Sequence, residues 1–227
     1  MKTQRILIAA LFSALACNLN AQNATPDTNL TYEDAKRILP LPYPKASNAL
    51  RAQIYETYGN KPLQPALKAF FGNNQGRYID LSDYEISASE KMSLYYQFSQ
   101  TLYSITGSYR LPTGNLLYWG AQPKEWHNNG FIVTLGNSTQ ILATALLHQN
   151  CGKNNDLKPK EQIRLPNCDV SPTLTIFYST KFSPSVEIND QITKLVQRHI
   201  EINNRVAPQY RTPIENLKVE VRVLENK

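Results

Sequence analysis

The stretch "YWGAQPKEWHNNGFIV", residues 118–133, gathers a carboxylate (Glu125), an indole (Trp126) and an imidazole (His127), and His148 follows after one further hairpin. A carboxylate and two imidazoles near a wet loop are the ingredients of a metal site or of a general acid–base pair. Whether they meet depends on strand register. "FIVTL" and "TQILATALLHQ" are β-rich runs that fold back on each other across "GNS". A type II′ turn at Gly136-Asn137 extrapolates Glu125 to a place opposite His148. A turn at Asn137-Ser138 puts His127 there instead. Either way Glu125, Trp126, His127 and His148 would collect at one end of the hairpin, close to Cys151. The stretch from Gly120 to Gly130 exceeds the usual hairpin loop of about 2–5 residues. It therefore reads as a long loop on a rigid sheet, where function tends to sit.

The same residues have a plainer reading, in which Trp126 caps the sheet and its polar neighbours face water. That reading is favoured, because no compact ligand spacing such as HExxH accompanies them and no third ligand is evident. The chain also lacks a GxSxG elbow, an SxxK pair, a phosphate-binding glycine loop and a CxxC, and it holds only nine glycines. His199 lies beside Leu195, Val196 and Ile202 on the apolar side of a helical pattern and reads as a core histidine. No cofactor and no metal is implied. The expectation is a non-catalytic protein that binds another macromolecule, with Trp119, Trp126 and His127 as contact residues, in keeping with an aromatic-rich composition. Two alternatives stay open. One is an envelope hydrolase using Glu125, His127 and His148. The other is a small-ligand binder whose pocket wall is a helix bearing Tyr95, Tyr96 and Tyr103, with Tyr84 nearby.

The N-terminus says where the chain goes. Lys2 and Arg5 precede the apolar run Ile6 to Ala16, and Ala14-x-Ala16 and Leu19-Asn20-Ala21 offer small-residue cleavage patterns. That order is a secretory signal peptide, assigned to residues 1–21, with cleavage after Ala21 or Ala16. Lipidation at Cys17 is the alternative, disfavoured because Ala14 stands where a lipoprotein signal prefers a larger aliphatic residue. The expected destination is the periplasm or the cell surface, with a protein of the cell envelope as partner and this chain as a secretion or envelope-assembly accessory, or as an immunity protein that blocks a toxin. No other stretch is long and apolar enough to span a membrane. In an oxidising compartment Cys151 and Cys168 form an even pair. The 16 residues between them are polar and contain two prolines. Closing such a loop contributes about 3 kcal/mol by the chain-entropy model. The full chain carries 24 basic and 18 acidic residues, a net charge of +6, and Lys2 and Arg5 leave with the leader. The remaining basic residues are scattered singly, which disfavours nucleic acid as a partner.

About 205 residues remain after cleavage, enough for one domain. Residues 22–30 read as a disordered lead-in, and 31–227 as a single α+β domain, helical over 31–107 and sheet-rich over 108–227. "ASNALRAQIYETYG" spaces Leu50, Ile54 and Tyr58 along one helical face, and "PLQPALKAFFG" repeats the device with Leu63, Leu67 and Phe70 or Phe71 inward and Gly72 as its stop. "SASEKMSLYYQFSQTLYSITG" carries two apolar stripes and predicts a central helix over 87–107. Further on, "LLYW", "FIVTLG", "TQILATALLHQ" and "TLTIFYST" predict strands. "DQITKLVQRHIEINNRV" predicts a helix starting at Asp190. "LKVEVRVLE" predicts a half-buried strand, with Leu217, Val219, Val221 and Val223 on the inner face. The architecture expected is N-terminal helices packed with a mostly antiparallel β-sheet, one further helix preceding the last strand.

Overall fold

The computed structural model describes residues 31–39, 41–43, 45, 63–76, 78–79, 93–102, 104–122, 125–149, 172–206, 208 and 212–225. The leader, the lead-in, the helix expected at 46–59, Tyr84, Tyr103 and all three cysteines lie outside these residues.

Six strands form one sheet in sequence order: β1 (Ser104–Arg110), β2 (Leu116–Gln122), β3 (Glu125–Thr134), β4 (Ile141–Gln149), β5 (Pro172–Ser179) and β6 (Lys218–Leu224). Every neighbouring pair is antiparallel except β5 with β6, which is parallel. A parallel neighbour needs a crossover, and a helix of 21 residues supplies it between β5 and β6. The described helices are α1 (Tyr32–Ile38), α2 (Leu63–Phe71), α3 (Leu94–Gln100) and α4 (Val186–Val206), with a 3-10 turn at Ile214–Asn216. The chain is therefore an α+β protein with helices before a mostly antiparallel sheet and one more helix before the last strand.

Strand alternation sorts the core into two layers. Tyr109, Leu117, Trp119, Phe131, Val133, Ala145, Leu174 and Ile176 face α4, which inserts Ile188, Ile192, Leu195, Val196 and Ile200. Leu116, Tyr118, Ile132, Leu146, Phe177 and Leu224 face the other way, against Leu67, Phe70 and Phe71 of α2 and Leu94 and Phe98 of α3. Each such apolar side chain taken fully out of water contributes about 1.5–3 kcal/mol. Both faces are thus covered, and every residue of β5 is buried.

Several local expectations hold. α2 buries Leu63, Leu67, Phe70 and Phe71, and Gly72 follows it with a positive φ of 52°, the left-handed conformation that ends helices. His199 is buried within α4. Others need correction. Among the described residues of the helix expected over 87–107, Leu94–Gln100 are helical, with the Ser93 hydroxyl accepting from the Tyr96 amide at the start. Beyond it Thr101 turns its hydroxyl onto the Phe98 carbonyl at 2.7 Å, and Ser104–Arg110 is a strand. The β-branched Ile105 and Thr106 suit a strand better than a helix. α4 starts at Val186, earlier than Asp190, because Ser185 accepts from the Ile188 amide. α1 opens the span expected to be helical, and Thr31 and Asp34 form its capping box, each side chain accepting from the other's backbone amide. Ala35 and Leu39 of this segment pack on Ile202 of α4.

Candidate functional site

The described residues of the segment 118–133 are strand, not loop. β2 and β3 pair from Leu116↔Thr134 through Gly120↔Gly130 to Gln122↔Glu125. Glu125 and His127 therefore lie within a strand. Trp119, expected as a contact residue, lies in the core at 9 % exposure. Its ring sits 4.2 Å from the His199 ring, and its Nε1 donates to the Tyr109 hydroxyl at 3.3 Å. On the neighbouring strand Gly107 leaves room for that indole, since a Cβ there would run into Trp119 Nε1. Trp119 thus fixes the hairpin to α4.

The register between β3 and β4 differs from both extrapolations. The turn does sit at Gly136-Asn137, closed by the Ser138 amide on the Leu135 carbonyl at 3.0 Å, with Gly136 supplying the positive φ of 53°. A second bond, from the Leu135 amide to the Gln140 carbonyl, widens the connection, and the ladder slips between Val133 and Thr134. Val133 then faces Ala143 and Asn129 faces Leu147. Continuing that ladder sets His148 opposite Asn128, not opposite Glu125 or His127. One residue of slip reverses the face on which a strand residue falls. His148 belongs to the α2/α3 side, with Tyr78 and Phe177, while the side chains of Glu125, Trp126 and His127 lie outside the described residues.

What surrounds His148 is a set of residues that the sequence did not single out. The imidazole is buried, and its Nε2 shares a hydrogen bond of 2.9 Å with the Thr175 hydroxyl. Thr175 reaches it because β5 places Thr173 directly opposite His148 and Thr175 one step along the same face. The Tyr78 ring stands edge-on to the imidazole at 5.2 Å and to Phe177 at 5.3 Å, and the Arg222 guanidinium lies 5.5 Å from the same ring. Burial pushes the Tyr78 phenol above its ordinary pKa, and Arg222 partly offsets the rise. Gln97 of α3 holds this arrangement. Its Oε1 accepts from the Tyr78 and Ile79 amides at 2.8 and 3.2 Å, while its Nε2 donates to the Gly76 carbonyl. A glutamine within an apolar helix face is the one local signal that pointed here, since a buried amide must find partners.

Chemically, His148 packs an aromatic ring and bonds a neutral hydroxyl, which suits a core position better than proton transfer to a solvent-borne substrate. Among the described residues no group of three or more His, Cys, Asp or Glu side chains is placed to hold a metal ion. No described helix is long and apolar enough to cross a membrane. Tyr95 and Tyr96, offered as part of a pocket wall, lie partly buried against the α2/α3 core cluster. Comparison of the chain with known protein families, with curated proteins and with solved structures found no match.

Proposed function

We propose that this chain is an exported, non-catalytic protein of the periplasm or cell surface that binds another protein of the cell envelope. One observation carries the preference for binding over catalysis: His148 and His199, two of the three histidines, are both built into the core. The binding region in this reading is the end of the β2–β3 hairpin, with Trp126 as anchor and His127 beside it. Support comes from Trp119, which ties the same hairpin to α4 and so gives it a rigid base. Anchoring side chains on a rigid element lose less freedom on binding than those on a loop. Export rests on the Lys2/Arg5 leader and agrees with a Cys151–Cys168 disulfide. Peptide mapping of the exported chain without reductant should recover both the new N-terminus after Ala16 or Ala21 and the linked cysteines.

The experiment that separates binding from catalysis compares variants as bait in an envelope extract, with captured proteins identified by mass spectrometry. Trp126→Ala should weaken capture by about 2 kcal/mol or more, the size typical of an aromatic hot spot. His127→Ala should leave it unchanged. Stoichiometric zinc in the wild-type protein, lost from His127→Ala and from His148→Ala alike, would overturn the reading in favour of a metal site.

A further inference from the structure

β6 is the edge of the sheet, paired only with β5 among the described residues, and its valines do not do what its alternation predicts. Val219, Val221 and Val223 are 44 %, 43 % and 50 % exposed. Their register partners on β5 are Leu174, Ile176 and Tyr178, all buried on the α4 side. The valine row thus lies on the α4 face of the sheet but beyond the helix's cover. Lys218, Glu220 and Arg222 occupy the opposite phase. The far edge of the sheet is less open, since Lys45 forms an antiparallel bridge with Tyr109 on the outer side of β1.

We propose that β6 pairs antiparallel with β6 of a second copy of this chain, about a two-fold axis at Val221. The segment "KVEVRVL" is complementary to its own reverse. With the axis at Val221, Val219 faces Val223 of the second copy, Val221 faces itself, and Glu220 faces Arg222. Each Arg222 already bonds Glu220 along its own strand at 2.9 Å. Pairing surrounds every one of these four charges with opposite sign. Opposite charges and β-branched pairs directly across an antiparallel ladder are the favourable cross-strand combinations. An axis at Val219 also opposes Lys218 to Glu220, but it leaves Arg222 opposite Asn216, outside the strand. An axis at Glu220 sets Glu220 against itself and Lys218 against Arg222. An axis at Arg222 sets two guanidiniums together. An axis between residues opposes valines to charges, and parallel in-register pairing stacks like on like. A two-fold contact that uses the same edge of both copies is closed, so it yields a dimer with one continuous sheet rather than a fibre. The β2–β3 hairpin lies strands away from this edge, so the dimer leaves the proposed binding end untouched.

The test measures the mass of the chain, as purified after export, by sedimentation over a wide concentration range. Wild type should move from monomer to dimer as concentration rises. Glu220→Arg and Arg222→Glu each place like charges across the axis, and each should weaken self-association at least ten-fold. Mixed together, these two variants restore opposite charges at both positions, so an equimolar mixture should form the heterodimer that neither forms alone. That recovery cannot come from a variant that simply fails to fold. A wild-type monomer at every concentration, a dimer indifferent to both substitutions, a mixture that stays monomeric, or an edge found occupied by a strand of another protein would each overturn the proposal.

Discussion

At the scale of single residues, Gly130 shows how close the layers come. It sits on the α2/α3 face of β3, where the turn after α3 brings Thr101 and Leu102 down onto the strand. A Cβ at this position would run into Thr101 Oγ1, which is committed to the Phe98 carbonyl. Gly130→Ala should therefore cost about 1–3 kcal/mol, the range for overpacking a filled core. The check is the urea midpoint at unchanged slope, and an alanine variant as stable as wild type would mean that α3 and β3 do not meet here. Nothing nearby in sequence announces this, because the atoms that exclude a side chain belong to another element.

At the scale of elements, α4 does most of the organising. It covers one sheet face, bridges β5 to β6, and holds α1 through Ile202. Its start is set by Ser185, whose hydroxyl accepts from the Ile188 amide while the Asn189 amide bonds the Ser185 carbonyl. The Tyr178 hydroxyl donates to Asn189 Oδ1 at 2.8 Å and lies 3.3 Å from the Ser185 carbonyl, so the end of β5 and the first turn of α4 are one unit. Ser185→Ala should destabilise the protein by about 1 kcal/mol, the usual cost of losing a helix cap. Hydrogen exchange should localise the loss to the first turn of α4. Unchanged protection there would show that Tyr178 alone sets the start.

For the whole molecule, the tyrosines make stability depend on alkaline pH. Burial holds the phenols of Tyr78, Tyr118 and Tyr178 above their ordinary value of 10.0. At Tyr118 a hydrogen bond with Thr134 partly opposes the rise. The folded state therefore keeps protons that the unfolded chain gives up above pH 10. The stabilisation is complete below the unfolded value and is lost as pH climbs through the folded ones. Denaturant midpoints should be level on the acid side of pH 10 and fall steadily beyond it, and Tyr118→Phe should shallow the fall. Native phenols that titrate at the free value, with a level midpoint, would refute this.

The sequence by itself determined the features that depend on local period and local chemistry. The stripe of Leu63, Leu67 and Phe70 with Gly72 behind it made α2 legible, and β-branched runs between turn residues made five of the six described strands legible. His199 read as a core residue because its helical neighbours are apolar. What failed were judgements needing a partner distant in the chain. "LYSITG" continues a helical stripe on paper, yet Ser104–Arg110 becomes β1 because β2 offers it a ladder. The ladder between β3 and β4 moved when the turn widened to Gln140, so that Asn129 faces Leu147, a register neither turn position alone predicts. The valines of β6 alternate as an inner face should, but exposure depends on how far α4 reaches across the sheet. Period is a property of neighbouring residues and survives in the sequence. Register and cover are properties of contacts between elements, and only the tertiary structure decides them.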